Sequence, residues 1–415
     1  MTGHTIDHLV ATIAFIGAIL VFTGLFTQSL QAAILYQQNR HVALKASDLL
    51  DSMLLSPGHP YNWGETNATL SCFGLQQPGV NGYRLSSFAL MRLLSSSGNT
   101  VYYNRTGEWY SNISWGVGGG YLLLPVRESI DYATAARLLG VNGSYGFQLS
   151  VTPTLTISIS EVQLKNPLKL EVKVEGPGFP LSEATLKYHL YWAYGKNPED
   201  GSPLFDYTSG SAITNSTGSA LLDFSASPSV DGSLAYTILV DAHLGGLSGV
   251  GYRSRETITS AGNIIPFVES FENGTILLAH KWGKNDPDGN QGALHFNATF
   301  FTLSDDFEPS KVSILNSTGV VNYGTEKSYY RIQIPTSSAG FLVVTYCKGN
   351  EYGMVIMPWG ISTLGVSVLF GGNPAGNVWV ATDLRQVTVS QVSYQAKIAC
   401  WSLQGYQIWK PSGGW

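Results

Sequence analysis

Eight asparagines carry the most explicit chemistry in this sequence. Asn67, Asn104, Asn112, Asn142, Asn215, Asn273, Asn297 and Asn316 each open an N-x-S/T triplet. That triplet is the acceptor for an N-linked glycan, because the asparagine amide needs a hydroxyl two residues on. Eight exceeds what the Asn, Ser and Thr content would scatter by chance, and none follows Asn316. N-linked glycans are therefore the expected covalent partners, each marking an exposed loop on the extracellular side. A fainter signal is NDPDGNQG at 285–292, where Asp286, Asp288 and Asn290 stand at the first, third and fifth places of a calcium loop. Gln291 replaces the required glycine and Asn297 the bidentate glutamate, so a Pro-Asp-Gly turn explains the same residues and no metal is assigned.

Other chemistry is sparse. The three cysteines, Cys72, Cys347 and Cys400, have no C-x-x-C spacing, which argues against a zinc or redox centre. Cys347 and Cys400 both fall in the last β-rich region. A bridge between neighbouring strands in an oxidising compartment is one reading, leaving Cys72 over; unpaired buried thiols are the other. No H-E-x-x-H, G-x-S-x-G or P-loop pattern occurs, and the eight histidines are scattered. GVGGG (116–120) joins no strand to a helix in a βαβ unit and reads as a loop. Neither an enzyme nor a bound cofactor is expected. Charged residues make up 12% of the 415, about half the usual share, and the net charge is −5. With no basic patch, no nucleic-acid partner is expected.

These residues must be positioned by two kinds of element. The first is one helix over residues 1–55. Leu9–Thr27 holds no charge, the next charge is Arg40, and nothing breaks the pattern before Ser56, Pro57 and Gly58. About 20 apolar residues span a bilayer, so membrane lipid is an expected partner. A cleaved signal peptide fits less well, since no Lys or Arg precedes the apolar run and the helical pattern continues past it. Leu30, Ile34, Gln37, His41, Leu44 and Asp48 form one stripe, and Leu49, Leu50, Met53 and Leu54 extend its apolar side. Arg40 and Lys45 after the span would put the C-terminal side inside, but large domains cross largely regardless of charge, and the glycan triplets place that side outside. Asp7 near the membrane end reads as an interfacial charge or as a partner for a neighbouring subunit's N-terminal amine. The small residues Ala14, Gly17, Ala18 and Gly24 would let helices approach closely, or are ordinary membrane-helix residues.

The second kind is β. A helix over 85–94, a hairpin over 99–115 and a helix over 129–140 capped by Ser129 are expected in a head spanning 56–150. From 151 to 261, short alternating strands (LTISISEVQ, LKLEVKVEG, TLKYHLYWA) between turn clusters read as an Ig-like sandwich. A second β-sandwich is expected over 262–415. The uncharged stretch Tyr352–Thr382 is broken by Pro358, Gly360 and five further Gly and Pro residues, and reads as buried strands, not a second span.

The N-terminal helix, DLLDSMLLSPGHPYNWG (48–64), FGLQ (73–76), the short helix at 86–94 and ARLLGVNGSYGFQLSV (136–151) together resemble archaeal type IV pilin-like surface proteins over about residues 1–155. The order and spacing carry the resemblance. It implies a pilin-like α+β head outside the cell, and a helix that anchors the chain and can bundle into a filament core. One departure is that pilin precursors carry a basic residue before the processing site, whereas Gly3 follows Met1 and Thr2. The sequence therefore predicts a mainly β, single-pass surface protein, a pilin-like structural subunit that self-associates or meets other envelope proteins through its helix. The alternative is an adhesion or glycan- or protein-binding protein. Exposed tryptophans would favour that reading, with Trp192, Trp282, Trp359, Trp379, Trp401 and Trp409 as those to inspect.

Overall fold

The computed structural model describes residues 2–93, 100–103, 106–111, 113–115, 120–122, 124–165, 167–225, 235–255, 264–280, 293–321, 329–336, 338–360, 364–374 and 378–403. The calcium-like stretch 285–292, Asn104, Asn112, residues 116–119, Trp282 and Trp409 lie outside them.

Helix α1 (Thr2–Leu54) is continuous over 53 residues, roughly 80 Å at 1.5 Å per residue. Pro57 cannot continue it, and its last carbonyls are taken up by the chain that follows: Met53 O accepts from Leu75 N at 2.7 Å and Ser56 O from Gln76 N at 2.9 Å. Gly74 makes that approach possible, since a Cβ there would overlap the Ser56 carbonyl. The head continues with β1 (Arg84–Leu85), α2 (Ser87–Met91), β2 (Val101–Tyr103), β3 (Glu108–Tyr110), β4 (Ile113–Trp115), β5 (Gly120–Leu122), α3 (Tyr132–Leu138) and β6 (Tyr145–Pro153). The expected hairpin over 99–115 is two hairpins, β2–β3 and β4–β5. The cap of α3 is Asp131, not Ser129: the Asp131 carboxylate accepts from Thr134 N at 2.8 Å, while the Ser129 hydroxyl donates to Pro125 O.

Next come β7 (Thr156–Gln163), β8 (Lys169–Gly176), β9 (Phe179–Pro180), β10 (Thr185–Lys196), β11 (Pro203–Ile213), β12 (Ser219–Asp223), β13 (Tyr236–Leu244) and β14 (Leu247–Arg255). They form sheets ordered β11-β10-β13-β14 and β12-β8-β7. Inward residues of both, including Leu170, Val172, Leu186, Leu190, Leu222, Ile238 and Val240, make a closed core. Four antiparallel strands facing three is the immunoglobulin-type arrangement.

The remaining strands are β15 (Ile264–Ser270), β16 (Thr275–His280), β17 (Leu294–Leu303), β18 (Pro309–Val312), β19 (Thr318–Val321), β20 (Tyr329–Gln333), β21 (Gly340–Lys348), β22 (Glu351–Trp359), β23 (Val368–Gly371), β24 (Ala381–Val389) and β25 (Val392–Ser402). The uncharged stretch carries β22, eight of whose nine residues are buried, and β23. Sheets β15-β16-β20 and β18-β17-β21-β22, with β19 on β17, make a further β layer pair.

The expected boundary at 262 does not run to the C-terminus. The head sheet is ordered β1-β24-β25-β6-β23, so three of its five strands come from residues after 367. β25 pairs along the whole of β6, from Tyr394 opposite Pro153 to Ser402 opposite Tyr145. The head and the last β layers also share one core. Phe88 of α2 meets Phe271 edge-on at 6.0 Å, and Phe271 stacks on Trp359 at 4.7 Å. Arg92 ties the same seam: its guanidinium donates to Glu128 O at 2.8 Å and to the carbonyls of Trp63 and Thr66. The Glu128 carboxylate accepts from Phe271 N at 3.0 Å.

The Ig-like unit is joined to the rest by Tyr191, Ala193, Ala235, Leu239 and Val250, which enter the main core, and by buried His189. Its Nε2 donates to Phe307 O at 2.8 Å, so Nδ1 accepts from the Ser209 hydroxyl at 2.7 Å. Burial lowers its pKa below the ordinary value, against the raising effects of Phe307 O, Glu308 and Asp241. Above about pH 6.5 neither folded nor unfolded chain holds this proton; below it the unfolded chain binds the proton first. This contribution to stability is therefore complete above that pH and declines as the pH falls toward the folded value. We expect the melting temperature of the detergent-solubilised chain to drop between pH 7 and pH 5, and His189→Gln to flatten that part of the profile. An unchanged slope in the variant would assign the acid sensitivity elsewhere.

Candidate membrane anchor and its clamp

α1 is long and apolar enough to cross a membrane. From Ile6 to Gln38 every residue is exposed, around the whole circumference of the helix. The hydroxyls of Thr12 and Thr27 donate to the carbonyls of His8 and Thr23 within the helix, so they need no water. Asp7, Ala14 and Ala18 fall on one line at roughly 100° per residue, and Gly17 and Gly24 on an adjoining line. All five are on this free part, and a Cβ built on either glycine would meet nothing within 4 Å.

Docking begins at Val42. Val42, Ala46, Leu49, Leu50, Met53 and Leu54 enter the main core against β24 and β25. Leu49, Leu50, Met53 and Leu54 of the expected apolar side are docked, whereas His41, Leu44 and Asp48 of the stripe face solvent, because the head takes the side carrying Val42 and Ala46. A polar clamp fixes the rotation of the docked part. Arg385 on β24 spans the Asp51 carboxylate, with Nε to Oδ1 at 3.0 Å and Nη2 to Oδ2 at 3.2 Å, and Nη2 donates to the Ser47 hydroxyl at 3.0 Å. The Tyr83 hydroxyl donates to Asp51 at 3.0 Å, and Arg385 Nη1 bonds Asp383 at 2.8 Å. Asp51 first, then Tyr83 and Asp383, hold the Arg385 proton more firmly than usual. Burial of Asp383 works toward a raised pKa, but the Leu384 N–H, Arg385 and Ser47 outweigh it and leave it lowered. Replacing Arg385 with Ala should cost about 1–2 kcal/mol, the scale of a charge-assisted network at a half-exposed site. Chemical denaturation followed by near-UV signal checks this; a loss that disappears in high salt would mean the clamp acts by charge alone.

The other expected residues distribute as follows. Cys347 on β21 and Cys400 on β25 lie in different sheets and are both free and buried, which is the unpaired alternative and not the bridge; Cys72 is free and exposed. Burial raises both buried thiols, Cys400 to about 11. Asn67, Asn142, Asn215, Asn273 and Asn316 are exposed, whereas Asn297 is half-buried within β17. Trp192, Trp359 and Trp401 are buried, and Trp379 is exposed. The sequence reading missed an aromatic pair: Tyr102 and Trp109 lie opposite each other on β2–β3, 5.2 Å apart and both exposed. Their alternation partners Tyr103 and Tyr110 point inward to Phe267, at 4.7 and 5.0 Å. Period-two alternation was the available signal, since the adjacent aromatics Tyr102–Tyr103 and Trp109–Tyr110 must each put one ring outside. Among the described residues no His/Cys/Asp/Glu group could hold a metal ion.

The fold and anchor define a class: a mainly β protein with an Ig-type sandwich and one N-terminal helix fit to span a membrane. No family model matches the chain, and no curated protein does. Among solved structures, it is similar to the D0-D1 domain of intimin, at 14% identity over 53% of this chain and 98% of that one, with a TM-score of 0.19. It is also similar to red sea bream transglutaminase, at 9% identity over 64% of this chain and 37% of that one, with a TM-score of 0.17. Overlaps at these scores carry no argument about either fold detail or activity.

Proposed function

We propose that this chain is a non-enzymatic surface protein held in the membrane by α1, with residues after the helix outside the cell, acting as a pilin-like structural subunit of a filament or envelope assembly. One observation carries this reading. The helix is divided sharply into a free apolar part ending before Val42 and a part built into the head core. The free part is roughly 55 Å long, and about 30 Å of that suffices for hydrocarbon. The excess, with exposed Leu30, Ile34, Leu35 and Tyr36, needs cover from neighbouring helices. The exposed Tyr102–Trp109 pair favours the second reading, an adhesive or binding surface, since a half-exposed aromatic pair offers flat faces to a glycan or protein.

Electron microscopy of native envelopes, with the chain located by antibody, tests the assembly. Continuous filaments or arrays of labelled heads are expected. Isolated membrane-bound monomers would sink the structural reading and leave the adhesive one. Extraction of the chain by alkaline carbonate would sink the anchor itself.

A further inference from the structure

We infer that Asn273 and Asn316 form a paired N-glycan site at one end of the last β layers, and that Asn297 stays bare. The inference rests on the proposed extracellular placement. The two asparagines are 43 positions apart, 316 − 273, yet both lie against β20. Gln333 Nε2 donates to Asn273 O at 3.3 Å, and the Asn316 amide donates to Arg331 O at 3.4 Å. Leu315 bridges Gln333 directly, so it sits between the two sites. Leu315 is 67% exposed, one of the barest apolar side chains outside the helix. Both asparagines occupy turns. Asn273 follows β15 in the β15–β16 turn, and Asn316 has a left-handed φ of 59° that asparagine tolerates. Both residues are exposed. After modification the Asn316 nitrogen keeps one hydrogen, so its bond to Arg331 O survives. Two sugars here would cover Leu315 from either side.

Asn297 has the same triplet and the opposite surroundings. It lies mid-strand in β17, between β19 and β21. Its amide donates to Pro203 O at 3.3 Å. His295, two residues earlier and so on the same face, donates to Asp200 O at 2.9 Å. Both side chains thus face the 200–203 turn of the Ig-like unit, and a glycan on Asn297 would have to fill that seam. The partner hydroxyl, Thr299, is buried.

Site-resolved mass spectrometry of glycopeptides from the full chain, extracted from its native membrane, tests this. Sugar mass is expected on the Asn273 and Asn316 peptides and none on the Asn297 peptide. Thr275→Ala and Thr318→Ala should each remove one glycan, while Asn297→Gln should leave the glycan count unchanged. Sugar on Asn297 overturns the inference. So do bare Asn273 and Asn316 in a chain glycosylated at Asn67, Asn142 or Asn215. If every site is bare the inference also fails, and protease treatment of intact cells then separates the causes. Cleavage of the β region keeps the extracellular reading, and protection rejects it.

Discussion

A chain ending at Val380 should keep its Ig-like unit and lose its head. Removing residues 381–415 takes β24 and β25 from the middle of the five-stranded sheet. β1 then keeps only its bridge to Gln76, and β6 keeps only the four-residue contact with β23. Val42, Leu49, Leu50 and Met53 lose the surface that buries them. The loss should exceed about 5 kcal/mol, comparable with the entire stability of a domain. Limited proteolysis is the direct check. A protected fragment near residues 155–255 should persist, because that core is separate from the head core. The segments before it should be cut rapidly. A head that stays protected without its C-terminal strands would show that β6 and α1 fold by local contacts alone.

Arg92→Leu should be the most damaging single change at the seam. The wild-type guanidinium serves three carbonyls, those of Trp63, Thr66 and Glu128, and lies 5.7 Å from the Trp63 ring centre. Burial lowers its pKa, partly offset by Glu128. A leucine fills the space but leaves the three carbonyls without this donor and Glu128 with Arg127 as its neighbouring cation, 4.0 Å away. Removing one side of a buried charged cluster costs about 3–5 kcal/mol. Arg92→Lys should recover only part, since an ammonium cannot span the same three acceptors. Denaturant midpoints of the three proteins check the order, and a Leu variant within about 1 kcal/mol of wild type would refute it.

Much of the fold is legible in the residues. The unbroken pattern over 1–55 is a helix because nothing within it stops one, and alternation marks most strands. Alternation tells which face of a strand is buried but not which strand lies beside it. QVTVSQVSYQAKIAC (386–400) reads as a hairpin anywhere in the molecule, and its partner Tyr145–Pro153 is more than 200 positions earlier. The same limit hid the clamp, because Asp51 and Arg385 are 334 positions apart. It also left the cysteines open between a bridge and unpaired buried thiols, since sequence position does not tell that Cys347 and Cys400 lie in different sheets. The docked end of α1 is legible in Leu49, Leu50, Met53 and Leu54, but with Leu44 on one side and Val42 and Ala46 on the other, the helix alone does not say which side of the preceding turns has a partner. The glycan triplets are fully visible, but whether the side chain faces a seam, as at Asn297, depends on a turn contributed by another unit.

The place of β24 and β25 in the head sheet also sets a clock on biosynthesis. α1 and β6 are made early, but 227 residues, 380 − 153, separate the end of β6 from the start of β24. At about 5–20 residues per second, roughly 10–45 s pass before the missing strands arrive. Throughout that interval the head is open and the Val42–Leu54 face of its helix uncovered. Arrival of β24 and β25, not formation of the helix, is therefore the event that converts a protease-sensitive intermediate into a closed head.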